Sequence, residues 1–178
     1  MIREWGFSVM QPLTRSEIAR ARETLLHGVQ AFNDTWVTTN CRVIVPAEEI
    51  SDLSSDTVGR RILQTFEAEG QTKLLCLTTR DLGADDREQA VIAPVSEIER
   101  WWKEHSFIDT VIASPDLDSA VLLTVDEFLL VGGDRSFVEA VLGKPLDAAR
   151  AEFTEYAEDM ANASRHLPGI AQKWCADH

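Results

Sequence analysis

Short apolar runs separated by polar pairs and glycines dominate the chain between residues 109 and 143. Two of these runs, residues 120–125 and 128–131, are separated only by the polar pair Asp126 and Glu127. A connection this short cannot hold the crossover that parallel strands need. The pattern therefore predicts two adjacent antiparallel strands joined by a tight turn.

Other segments carry apolar residues at three- and four-residue steps, which places those residues on one face of a helix. Thr14 and Glu17 match a capping box, so a helix is predicted from this point to about Phe32. Asp134 or Ser136 can cap a second helix. Further helices are predicted over residues 58–70 and 94–105. A last helix has its apolar positions over residues 146–160 and is expected to end by residues 166–169. Beyond it, Trp174 is expected to pack the end of the chain onto the rest of the domain.

Strand-length runs of apolar and β-branched residues account for the remaining regular structure. Pro46 is expected to end a strand over residues 36–45 and to begin a single helical turn. Gly132 and Gly133 are expected to end the second strand of the hairpin. Further strands are predicted over residues 73–79 and, after a solvated loop, over residues 89–93.

The order of these segments favours an α+β fold with an antiparallel or mixed sheet and helices packed against it. Strands and helices are mixed, and the central strands are too closely spaced for βαβ crossovers. The length of 178 residues suits a single globular domain over residues 1–178, and the sequence contains no repeat or linker.

The net charge of −13 is large for this length and unevenly distributed. Five arginines and four acidic residues precede Pro46, so the chain beyond it carries −14. Such a surface repels nucleic-acid phosphates and anionic lipids and attracts basic partners. The alternative that the excess of acidic residues serves only solubility stays open.

The cysteines Cys41, Cys76 and Cys175 are odd in number, widely spaced and without a CxxC pair. This argues against a disulfide framework and a structural zinc site. Cys76 lies in an apolar run and is expected in the core. No signal peptide or membrane-spanning run is evident, so a cytoplasmic location is expected, and 13 arginines among 17 basic residues hint at a GC-rich bacterial genome.

Two segments contain residue types found in catalytic or cofactor sites. Cys41 could act as a nucleophile activated by a histidine, but no family-specific context surrounds it, and a structural role is favoured. Gly132-Gly133-Asp134 could cradle a phosphate, but no lysine follows and Asp134 would repel an anion, so a turn and a helix cap are favoured. The candidate histidines are His27, His105, His166 and His178.

The third candidate is an acidic set between residues 109 and 127 that contains no lysine or arginine. Carboxylates can bind a metal ion, form an interaction surface or lie in solvated turns, and all three roles stay open. No calcium-loop motif is present. The set consists of Asp109, Asp116, Asp118, Asp126 and Glu127.

Five tryptophans, Trp5, Trp36, Trp101, Trp102 and Trp174, are many for this length. Adjacent Trp101 and Trp102 lie about 100° apart on a helix, so both cannot point into one core. One is expected in the core and the other at a rim, where tryptophan often contacts partners.

Together these patterns predict a non-enzymatic acidic domain that binds a basic protein, without cofactor, metal or catalytic residues. Its general character is similar to that of bacterial immunity or inhibitor proteins that neutralise a basic toxin. The alternatives are a small enzyme or metabolite-binding domain, with a site formed only in three dimensions around Cys41 or the Gly132-Gly133 turn, and an acidic mimic of DNA. The expected partner contacts are Asp116, Asp118, Asp126, Glu127 and Trp101.

Overall fold

Seven strands form one fully antiparallel sheet in the computed structural model, which describes residues 9–176. The order across the sheet is β1-β4-β3-β5-β6-β7-β2, so β1 and β2 are the edge strands. This confirms the expected α+β class. The strands are β1 (Gln11–Pro12), β2 (Val43–Glu48), β3 (Lys73–Thr78), β4 (Ala90–Pro94), β5 (Thr110–Ala113), β6 (Ala120–Leu123) and β7 (Phe128–Gly133).

Helices cover both faces of the sheet. Three helices, α3 to α5, pack on one face, and α1, α2 and α7 pack on the other. Helix α6 passes the edge at β2 and contributes apolar side chains to both cores, Leu146 and Ala149 to the first and Phe153 and Ala157 to the second. The helices are α1 (Arg15–Leu25), α2 (Asp34–Thr39), α3 (Thr57–Ala68), α4 (Val95–His105), α5 (Arg135–Leu142), α6 (Leu146–Asp159) and α7 (Leu167–Cys175).

The predicted central hairpin is present. Strands β6 and β7 are antiparallel, with Leu123 opposite Leu129, and residues 124–127 connect them. Because helices cover both faces, every residue of these two strands is buried. This explains the continuous apolar runs in place of an alternating pattern.

The first helix is shorter than predicted. It begins after the capping box at Thr14 but ends at Leu25, because the chain reverses at Gly28, which has φ +73°. Residues 36–39, predicted as strand, belong to helix α2. Asn33 and Asp34 interrupt the predicted first helix, and Asn33 accepts a hydrogen bond from Thr35 N–H at 2.8 Å and caps α2.

Pro46 does not end β2, and no helical turn begins there. The residue lies on an edge strand opposite Leu130. Three residues later Glu49 N–H donates to the Glu127 carbonyl, so Pro46 falls at a position that makes no hydrogen bond to β7. Its missing N–H therefore costs the sheet nothing.

The end of β7 agrees with the prediction, whereas the end of the chain differs from it. Gly132 and Gly133 are the last residues of β7, and a Cβ at Gly132 would lie 2.7 Å from the Ile44 side chain. Helix α6 corresponds to the last predicted helix, but the residues expected to end that helix begin a further one, α7, and the half-buried Trp174 packs α7 onto the second core as expected. No helix within residues 9–176 is long and apolar enough to cross a membrane.

Candidate protein-binding surface

The strand order separates the predicted acidic contacts. The loops on either side of β6, residues 114–119 and 124–127, lie at opposite ends of that strand. Asp116 and Asp118 therefore lie at one end of the sheet, and Asp126 and Glu127 at the other. The four residues do not form one continuous surface.

Strand β2 brings two further carboxylates to the end that carries Asp126 and Glu127. Glu48 lies opposite Phe128, and Glu49 N–H donates to the Glu127 carbonyl at 3.3 Å. We call Glu48, Glu49, Asp126 and Glu127 the acidic end. Within residues 9–176 none of the four forms an ion pair, so their charges are not neutralised by neighbouring side chains.

Tyr156, on α6, is in contact with this end. Its hydroxyl donates to the Glu127 carbonyl at 3.1 Å. Burial raises the pKa of Tyr156, and the charges of Glu48, Glu127 and Glu49 raise it further. A negative potential disfavours the tyrosinate, so the shift indicates that these carboxylates act together.

A buried carboxyl supports the connecting loop. Asp109 precedes β5, is 4% exposed and accepts a hydrogen bond from Val125 N–H at 2.8 Å. Burial raises the pKa of Asp109 and the charge of Asp126 adds to this, while the Val125 hydrogen bond and the charge of Arg80 act in the opposite direction. Asp109 therefore shapes the loop and is not an accessible contact.

Two exposed apolar side chains lie at the same end of the sheet as the acidic end, because the start of β5 is opposite the end of β6. Phe107, in the loop that leads to β5, is 69% exposed, and Val125, between β6 and β7, is 48% exposed. Asp109 connects the two loops through its bond to Val125 N–H. An exposed aromatic residue among unpaired charges is typical of a protein-binding surface.

Trp101 belongs to the core and not to an accessible surface. Its side chain is 0% exposed, and its Nε1 donates to the Glu88 carbonyl at 2.6 Å. Trp102 is the half-buried member of the pair, which confirms that the two indoles differ. Trp5 lies outside the described residues. Among the described residues the strongly exposed aromatic side chain is that of Phe107, which follows the end of α4.

The carboxylates at the other end of β6 hold their loop together. Ser114 Oγ donates to Asp116 at 2.5 Å, which lowers the pKa of Asp116. Asp118 N–H also donates to Asp116, at 3.1 Å. Asp118 pairs with the guanidinium of Arg42 at 2.8 Å. These contacts are those of turn residues.

A cavity of about 290 Å³ opens beside the acidic end, between β2 and α6. Glu48 and Glu49 lie on one side of it, and Phe153 and Tyr156 on another. Its other charged groups already have partners: Asp56 caps α3 through the N–H groups of Val58 and Gly59, and Lys144 pairs with Glu152.

Neither cysteine considered in the sequence lies in a catalytic arrangement. Cys41 is exposed in the turn after α2 with φ 49°, not at the start of a strand. Within residues 9–176 it makes no hydrogen bond to a histidine; His178 lies outside the described residues. Cys76 is fully buried, and burial raises the pKa of its thiol. In the part of the chain described, no group of acidic, histidine and cysteine residues could hold a metal ion.

The structure contains one serine–histidine contact, between Ser164 and His166, that the sequence did not predict. Ser164 Oγ lies 3.1 Å from His166 Nδ1, and His166 Nε2 lies 2.7 Å from the Asp126 carbonyl oxygen. Ser164 is only 4% exposed, so a substrate cannot reach its hydroxyl. The contacts instead fasten the start of α7 to the acidic end.

No protein-family model, curated protein or solved structure matches the chain.

Proposed function

We propose that this protein binds a basic protein partner through the acidic end and the exposed Phe107. The observation that carries the proposal is the group of four carboxylates without ion pairs, at the end of the sheet that also carries two of the most exposed apolar side chains of the described residues. Unpaired surface carboxylates attract and orient a basic partner before contact. An exposed aromatic side chain supplies apolar area that is buried once contact is made.

The cavity beside β2 supports the same partner chemistry. A lysine or arginine side chain of the partner would lay its methylene groups on Phe153 and Ala149 and place its charge near Glu48 and Glu49. The volume of about 290 Å³ accommodates one long side chain. The cavity thus gives the partner one anchoring residue.

A narrower form of the proposal makes the partner a basic bacterial toxin, met in the cytoplasm, and the protein its inhibitor. This form is supported by the strong acidity, by the arginine-rich composition and by Cys41, Cys76 and Cys175, all of which are free thiols. Acidic inhibitors suit basic enzymes because complementary fields speed association.

The test uses the protein as bait in an extract of its host, in three forms. These are the unchanged protein, Asp126→Asn/Glu127→Gln, and the matched control Asp116→Asn/Asp118→Asn. Both variants remove two charges, but from opposite ends of β6. We expect the unchanged protein and the control to capture the same basic protein, and the acidic-end variant to lose most of it.

The other candidate functions give different results in the same experiment. Capture of an acidic protein, or equal loss with both double variants, overturns the proposal and favours a small enzyme or metabolite-binding domain. Capture of a DNA-binding protein that DNA displaces from the bait favours an acidic mimic of DNA.

A further inference from the structure

A second cleft, on the side of the sheet covered by α2, α6 and α7, has the opposite character. It measures about 360 Å³, and three of its lining residues are basic against one acidic residue, Asp34. In a chain of net charge −13 this local excess of positive charge is unusual. The basic residues are Arg42, Arg150 and Lys173, and Trp174 also lines the cleft.

Two residues that line this cleft each carry an N–H donor without an acceptor among the described residues. Within residues 9–176, Arg150 Nε and Trp174 Nε1 are buried atoms without a hydrogen-bond partner. The Arg150 side chain forms no ion pair there either, although 30 acidic residues are present in the chain. A buried donor without an acceptor costs about 1–3 kcal/mol, so such groups in native proteins normally have a partner.

The other two cations have distinct roles. Arg42 is fully engaged: it pairs with Asp118 at 2.8 Å and donates to the Trp36 carbonyl at 2.7 Å. It therefore fixes the wall of the cleft. Lys173 is exposed, with Nζ 4.5 Å from the centre of the Trp174 ring, and forms no ion pair among the described residues. Arg150 and Lys173 are the charges available to a ligand.

We propose that this cleft binds the oxyanion group of a small ligand, a phosphate or a carboxylate. The guanidinium of Arg150 offers the planar pair of donors that such groups accept. Trp174 Nε1 supplies a further donor, and Lys173 supplies charge at the rim. The site is distinct from the acidic end, because none of the four carboxylates of that end lines the cleft.

The test is a nuclear magnetic resonance titration with inorganic phosphate and, separately, with acetate. The signals followed are the Trp174 indole N–H, assigned with Trp174→Phe, and the Arg150 Nε–H. We expect both to move and saturate as their missing acceptor arrives. Arg150→Gln should weaken the affinity by about tenfold or more, which corresponds to the loss of one charge-assisted hydrogen bond.

Arg60→Gln, an exposed arginine on α3 at the other face of the sheet, is the matched control and should bind as the unchanged protein does. Saturation by phosphate alone assigns a phosphate-bearing ligand, and saturation by acetate alone assigns a carboxylate; either result supports the site. Signals that do not saturate with either anion, or equal weakening by Arg60→Gln, overturn it. Circular dichroism of each variant checks that the fold is retained.

Discussion

Tyr156 is the single tyrosine of the chain, so its titration reports on one place in the molecule. Its hydroxyl contacts the acidic end, and three glutamates there raise its pKa in addition to burial. Replacing Glu48 and Glu49 by glutamine removes two of these charges. We expect the pKa of Tyr156 to fall toward its ordinary value, as measured by ultraviolet absorbance titration. The control Asp116→Asn/Asp118→Asn should leave it unchanged, and an equal fall in both variants would contradict a local carboxylate group.

Asp109 makes stability depend on pH. Its pKa is raised, first by burial, so the ionised carboxyl disfavours the folded state. The stability it contributes is complete below the pKa of the unfolded chain and is lost as pH rises through the higher folded pKa. Asp109→Asn should therefore become more stable relative to the unchanged protein as pH rises over this interval, measured by urea unfolding. A difference that shrinks with rising pH would mean that the Val125 hydrogen bond outweighs burial.

Substitution by serine is expected to lower the free energy of unfolding more at Cys76 than at Cys41. Cys76 is fully buried in β3, so Cys76→Ser places a hydroxyl in the apolar core and should reduce the free energy of unfolding by about 1–3 kcal/mol. Cys41 is exposed, and Cys41→Ser should change it by less than about 0.5 kcal/mol. Denaturant unfolding gives both values. An equal decrease in the free energy of unfolding for Cys76→Ser and Cys41→Ser would contradict the apolar environment of Cys76 in the structure.

At the scale of elements, local signals predicted some features and failed where distant contacts decide the structure. The short connection around Asp126 and Glu127 specified the β6–β7 hairpin, because so short a link has no room for a parallel crossover. The capping box at Thr14 specified the start of α1. The partners of β2 could not be predicted, because Pro46 is compatible with a strand only at an edge, and edge position depends on the whole sheet.

The candidate surface was predicted in part for a related reason. Asp126 and Glu127 keep their proposed role, but the sequence groups them with Asp116 and Asp118, which an intervening strand carries to the opposite end. Glu48 and Glu49 were missed because they join the surface only through the pairing of β2 with β7. The sequence does not show which of the adjacent indoles, Trp101 or Trp102, is buried in the core.

The close approach of β7 to its neighbours predicts the effect of two alanine substitutions. A Cβ at Gly132 would lie 2.7 Å from the Ile44 side chain and 3.0 Å from the Trp36 ring. Gly132→Ala should destabilise the protein by about 1–3 kcal/mol, since both neighbours must move. Gly169, in α7, has nothing within 4 Å, and Gly169→Ala should be neutral or add up to about 0.5–1 kcal/mol. Thermal unfolding measures the stability of both variants. An unchanged stability of Gly132→Ala would show that β7 can accommodate a methyl group at this position.

At the scale of the whole molecule, the −13 charge makes association with a basic partner sensitive to salt. The association rate should fall steeply with ionic strength while the dissociation rate changes less. Asp126→Asn/Glu127→Gln should flatten this dependence more than Asp116→Asn/Asp118→Asn does. Surface plasmon resonance with the captured partner measures both rates, and an association rate indifferent to salt would rule out electrostatic steering.

Phe107 provides the apolar part of the same contact. Phe107→Ala should weaken the affinity by about tenfold, mainly through faster dissociation. Val9, 77% exposed and just before the edge strand β1, is the matched control, and Val9→Ala should leave the affinity unchanged. Equal effects of the two substitutions would remove Phe107 from the proposed surface.

The pairing of β2 with β7 also sets an order of events during synthesis. Glu48 and its partner Phe128 are 80 residues apart in sequence, so β2 leaves the ribosome long before the strand that receives it exists. Closing so long a loop is slow and requires β5, β6 and β7 to be in place. The surface that joins Glu48 and Glu49 to Asp126 and Glu127 is thus completed late. A partner that recognises this surface therefore needs a chain in which β7 has been synthesised and has paired with β2.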